Sequence, residues 1–82
     1  MSSSIHELDT VVLARDVPEA NLRAGDLGAV VHVHNETMIE VEFVTASGRT
    51  QAVQTLSTAD VRPVRDDDLL AVRSADAVSD AA

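Results

Sequence analysis

Eighty-two residues make one domain at most, and a chain this short buries little surface. Fourteen acids against six arginines give a formal charge of −8, which argues against a general phosphate-backbone binder and fits solubility or a basic partner. Cysteine is absent, so disulfides and thiolate metal sites are excluded, and Phe43 is the sole Phe, Tyr or Trp, so a core has to come from Val, Leu, Ile and Ala.

Residues 1–4 are small and polar and are expected to be disordered. They lack the charged and apolar regions of a signal peptide, and no apolar run reaches membrane-spanning length. A cytoplasmic location without membrane attachment is expected. Residues 5–9 fit either a helical turn or a lead-in. Residues 10–14, dense in β-branched side chains, predict a first strand with Val11 and Leu13 inward. Residues 15–26 predict a loop: Pro18 lacks a backbone donor, Leu22 dips back to the core, and Gly25-Asp26 turns into the next strand.

Residues 27–44 predict a hairpin broken at Asn35-Glu36-Thr37. Two-residue alternation puts Leu27, Ala29, Val31 and Val33 on one face of its first arm, and Gly28, Val30, His32 and His34 on the other. In the second arm Ile39, Val41 and Phe43 oppose Glu40 and Glu42. Matching the apolar faces pairs Val33 with Ile39 and His32 with Glu40 across a three-residue loop, with Asn35 best suited to a left-handed position. Ser47-Gly48 marks another turn, and residues 50–56 a fourth strand of poor alternation, with Val53 facing away from Ala52 and Gln54. Residues 57–60 fit one helical turn, and residues 61–64 a last strand that Pro63 assigns to an edge. Beyond it, residues 65–82 form an acidic Ala/Asp-rich tail, short and flexible or else helical, with Asp67 or Asp68 as the cap and Leu69, Val72 and Arg73 along one side. Five short strands with a helical turn before the last imply an all-β chain folded as a small closed barrel over residues 5–64. Its core is expected to hold Val11, Leu13, Leu27, Val31, Val33, Ile39, Val41, Phe43 and Leu56.

The run Asp9-Thr-Val-Val-Leu, then Val17-Pro-Glu, Leu22-Arg-Ala-Gly-Asp-Leu-Gly-Ala-Val-Val-His-Val, Val41-Glu-Phe-Val, Gly48-Arg-Thr and Val61-Arg-Pro resembles a family of small bacterial proteins. That family is catalogued as a domain of unknown function with an SH3-like barrel, and the resemblance spans residues 5–64. The Gly-Asp-x-Gly-x-Val segment is also similar to the KOW motif of ribosomal and transcription-factor barrels, and to the small barrel of nitrile hydratase β subunits. The resemblance implies a five-stranded SH3-like barrel acting as an accessory or partner-binding protein, with an antitoxin- or immunity-like role beside a neighbouring gene product. It brings no catalytic residues. The alternatives it implies are a KOW-like nucleic-acid-associated barrel and an accessory subunit of an enzyme. The net charge and the lack of stacking aromatics count against the first of these.

His32 and His34, on one strand face and opposed by Glu40, have the donor types of a Zn²⁺ or Ni²⁺ site. Two solvated imidazoles beside a carboxylate fit the same spacing, and spacing supplies none of the outer partners a metal site needs. No metal or other cofactor is therefore expected. Asp9, Asp16, Asp26 and Asp60 fall at strand ends and turns, where aspartate bonds the local backbone rather than forming an acid/base pair. Arg15, Arg23, Arg49 and Arg62 fall at loops and strand ends, as ion-pair partners for the surplus acids or as a phosphate-contacting rim. The expected function is non-enzymatic protein binding through residues 15–26, the hairpin tip and an exposed sheet edge, with Arg15, Arg23, Val30 and Val53 as contacts. A weak homodimer through Val30 or Val53 is a further expectation.

Overall fold

The computed structural model describes residues 5–75. It contains strands β1 (Thr10–Leu13), β2 (Leu27–Val33), β3 (Met38–Val44), β4 (Thr50–Ser57) and β5 (Val61–Pro63). All pair antiparallel in a single sheet of order β4-β3-β2-β1-β5. Single 3-10 turns occupy Pro18–Ala20 and Thr58–Asp60. The expected all-β architecture of five strands, with a helical turn ahead of the last, is what the chain adopts. No helix among the described residues is long and apolar enough to cross a membrane.

One core lies on the inner side of the sheet. β1 gives it Val11 and Leu13, β3 gives Ile39, Val41 and Phe43, β4 gives Leu56 and β5 gives Val61. Val17 and Leu22 join it from the loop, closing on each other through Val17 N–H to Leu22 O at 2.9 Å and the return bond at 3.1 Å.

The first arm of the hairpin departs from the alternation. Val30 is fully buried, whereas Leu27 and Val31 are more than a third exposed and Val33 packs only at the margin of the core. The cause is a β-bulge. Val30 pairs with Val41 and His32 with Glu40, so Val31 has no opposite number. One extra residue reverses parity, so Gly28 and Val30 point inward before it and Val33 after it. Val30 is therefore a core residue and cannot serve as an outward binding or dimer contact. Beyond the bulge the expected pairing of Val33 with Ile39 and His32 with Glu40 holds.

Gly28 shows why no side chain fits there. A Cβ at that position would stand 2.5 Å from Val41 Cγ1 and 2.9 Å from Phe43 Cε2. The missing side chain is the space that the only large aromatic occupies.

At the hairpin tip Asn35 is not left-handed; among described non-glycine residues only Leu8 and Asn21 have positive φ. The Asn35 side chain instead accepts from Thr37 N–H at 2.8 Å and Met38 N–H at 3.0 Å. This Asx-type closure does for the loop what a glycine would otherwise do.

At the same end of the sheet as the hairpin tip, the Thr58–Asp60 turn joins β4 to β5. Ser57 Oγ accepts from Ala59 N–H while the Asp60 carboxylate accepts from Ser57 N–H, a reciprocal capping box. Thr58 N–H docks the turn onto Thr37 O at 3.0 Å.

The described part of the tail is not helical. Residues 65–75 form an irregular strap. Asp68 accepts two hydrogen bonds from the Arg62 guanidinium, at 2.9 and 2.8 Å, and one from Arg65 N–H at 2.6 Å. So engaged, it caps no helix. Arg73 grips Asp26 through Nε at 2.8 Å and Nη2 at 2.6 Å, and also reaches Asn21 O at 3.0 Å. Leu69 and Val72, expected on one packed side of a helix, are almost fully exposed. Residues 1–4 and the outer tail, residues 76–82, lie outside the described residues.

Candidate interaction surface

The sheet has two ends, and the sequence treats them differently. β5 is three residues long, carries Pro63, and has its Arg62 committed to Asp68. Short length, proline and charge are the usual protections of an exposed edge. β4 is eight residues long, reads Thr-Gln-Ala-Val-Gln-Thr-Leu-Ser, and contains neither charge nor proline. Among the described residues it pairs only with β3.

The register shows which backbone groups of β4 face outward. Thr58 N–H donates to Thr37 O, one step beyond the Met38–Ser57 pair. Antiparallel ladders alternate, so Ile39–Leu56, Val41–Gln54 and Phe43–Ala52 are the hydrogen-bonded pairs. Ser57, Thr55 and Val53 then turn their N–H and C=O away from β3. Ser57 N–H accordingly goes to Asp60 at 3.1 Å. Gln51 sits at the bulge between the Phe43–Ala52 and Val44–Thr50 pairs, so the regular outward groups are those of Val53 and Thr55. Val53 is 51% exposed, and β3 sets Glu42 beside Val53 and Glu40 beside Thr55.

The other residues singled out from the sequence are dispersed. Arg15 pairs with Asp60 at 3.0 Å and also donates to Asp16 O. Arg23 is exposed and gives its own N–H to the Asp26 carboxylate at 2.8 Å. The loop of residues 15–26 is thus tied to itself, to the Thr58–Asp60 turn and to the strap. His34 Nε2 meets Glu40 at 3.0 Å, whereas His32 Nδ1 lies 3.6 Å from Glu7; the two rings touch edge to face with centroids 4.5 Å apart. His32, His34 and Glu40 do not converge on one point, and no group of three such donors among the described residues could hold a metal ion.

The aspartates bond backbone. Asp9 accepts from His6 N–H, Asp16 from Ala24 N–H, Asp26 from Arg23 N–H and Asp60 from Ser57 N–H. Burial would raise the Asp26 carboxyl, but hydrogen bonds from Arg73 and the Arg23 N–H, with both positive charges, hold it below its ordinary value. Hydrogen bonds from Arg62, with the Arg65 N–H, bring Asp68 down to about 2. The same pairings raise Arg62 and Arg73.

Sequence reasoning missed the strap and its anchors. A cleft of about 280 Å³ lies between it and the sheet, lined by Leu22, Leu27, Phe43, Val44 and Val72, with Asp26 and Arg73 at its edge occupied by each other. A smaller one, bordered by residues 68–71, includes Val12, which is buried although it is outside the core cluster.

A family model described as Domain of unknown function (DUF4926) matches residues 7–63, well over half the chain, and the chain belongs to that family. No curated protein and no solved structure matches it.

Proposed function

We propose that this family member is a non-enzymatic protein-interaction module, built as an SH3-like barrel, that takes a strand of its partner along the free edge of β4. The observation that carries the reading is the contrast between the edges. β5 is short and carries a proline and an ion-paired arginine, whereas β4 is long, uncharged and bears a half-exposed valine. Strand addition draws affinity from main-chain hydrogen bonds and selectivity from alternate side chains. Here the alternate side chains are Val53 and Thr55.

The SH3-like assignment is supported by the strand order and by the 3-10 turn just before β5. The non-enzymatic reading is supported by the aspartates, whose carboxylates are engaged by backbone N–H groups. A nucleic-acid role gains nothing from the arginines, since Arg15, Arg62 and Arg73 are each held by an aspartate. The resemblance implies a partner encoded nearby, in an antitoxin- or immunity-like pairing. Affinity capture with the wild-type chain and with Val53→Lys tests the reading. A protein held by the wild type and lost on Val53→Lys is the expected result. Equal capture by both would move the site away from β4.

A further inference from the structure

We infer that the strand β4 accepts is the β4 of a second copy of this chain, related by a two-fold axis at Gln54. The inference rests on the reading of β4 as the strand-accepting edge and names its occupant. Its basis is that the edge is complementary to itself. The outward backbone groups belong to Val53 and Thr55, two residues apart, so an antiparallel copy presents the same pair in reverse order. Val53 then meets Thr55 of the copy, and Thr55 meets its Val53. Each is a hydrogen-bonded pair exchanging both N–H···O bonds, giving about four inter-strand hydrogen bonds. Gln54 faces its own equivalent at the axis. Such an isologous contact closes at two chains and leaves β5 outside the joint. The half-exposed Val53 gains a β-branched neighbour, a favourable cross-strand pairing.

Charge is the obvious objection, since each chain carries −8. None of it lies on β4. Asp60, whose carboxylate accepts from Ser57 N–H at the end of the edge, is paired with Arg15; the acids flanking the middle of β4 are Glu40 and Glu42 on β3, one strand back from the joint. Across the dimer they stand three strand spacings apart, about 14 Å. That exceeds the Debye length of about 8 Å at physiological ionic strength, so the repulsion that remains is weak there and grows as salt is removed. The association is therefore salt-promoted, the reverse of one driven by opposite charges.

Sedimentation and light scattering of the full chain, from low to high salt and up to millimolar protein, measure the association. Amide exchange followed by NMR locates it. The expected result is a dimer that tightens with salt and slows exchange at the Val53 and Thr55 amides. Val53→Lys, which adds charge on the solvent-facing side of the edge, should weaken the dimer at least about tenfold. Val53→Pro removes an N–H that β3 does not use, and should do the same with the β3–β4 ladder still protected from exchange. A dimer whose Val53 and Thr55 amides stay unprotected, or that survives both variants as folded proteins, overturns the inference. So does a strict monomer at high salt. A synthetic peptide of residues 50–57 then separates the two readings. If it protects those amides while the chain stays monomeric, strand acceptance stands and the second copy fails. If it does not, the second copy fails, and strand acceptance is decided by the capture experiment with Val53→Lys.

Discussion

A methyl group on Gly28 would press on Val41 Cγ1 and on the Phe43 ring, both buried, whereas one on Gly25 would meet nothing within 4 Å. Gly25 is constrained for another reason, its φ of 99°. Two glycines in one Gly-x-x-Gly segment thus resist substitution by different mechanisms. Gly28→Ala is expected to cost about 1–3 kcal/mol through overpacking. Gly25→Ala should cost about 1–2 kcal/mol through backbone strain. Ser47→Ala, at an exposed turn, should stay within about 0.5 kcal/mol of wild type. Denaturant midpoints of the three variants check this, and equal values would remove both mechanisms. Leu8 presents the opposite case. Its φ is 76° and the residue is 84% exposed, so a branched residue holds a left-handed conformation without burial in return. Its N–H bond to Val30 O at 2.7 Å fixes the backbone there. Leu8→Gly keeps that bond and should raise stability by about 1 kcal/mol, read as a higher midpoint; a lower one would show that the leucine packs in solution.

Among the elements, the strap is held by two bidentate pairs, Arg62–Asp68 and Arg73–Asp26, rather than by apolar contacts of its own, since Leu69, Leu70 and Val72 are mostly exposed. Partly exposed ion pairs contribute little to global stability, so Arg73→Ala should cost about 1 kcal/mol or less. Local order should change far more. Proteolysis after Arg65 and faster amide exchange over residues 69–75 are expected in Arg73→Ala, with the β-strand amides still protected. Unchanged exchange in the strap would mean that Arg73 does not anchor it. These ties were out of reach of sequence reasoning because Arg73 and Asp26 lie far apart in the chain and follow no periodic pattern. The strands were legible because β-branched density, alternation and turn residues are local signals, and so was the helical turn, as a short polar stretch ahead of the last strand, though not its capping box. The bulge at Val31 was not. An unbroken apolar run reads equally well with or without an extra residue, and only the pairing with β3 reveals the parity change that buries Val30. Val53 was legible as an outward valine, but its place on a free edge follows from the strand order, which local pattern does not specify.

For the whole molecule, the charges that oppose association and those that hold the strap respond to acid at different points. Fourteen acids and six arginines set the isoelectric point at about 4.5. As pH falls toward it, ordinary carboxylates take up protons and the repulsion between copies fades. Asp68 titrates later, with its pKa near 2 against an ordinary 3.8, and Asp26 is shifted in the same direction. A carboxylate whose folded pKa is depressed stabilises the fold fully above its ordinary value and loses that contribution as pH falls through the folded one. The Arg62–Asp68 anchor therefore remains intact at the isoelectric point and weakens between 3.8 and about 2, and the Arg73–Asp26 anchor is shifted in the same direction. The expected order on acidification is strengthened association around pH 4.5, followed by strap release below pH 4. Light scattering reads the first step, and exchange or proteolysis of residues 65–75 the second. Asp68→Asn removes the negative partner of Arg62 and should loosen the strap already at neutral pH while leaving the association step in place. Strap release that precedes or coincides with association in the wild type would contradict the separate roles assigned to the acidic surface and to its paired aspartates.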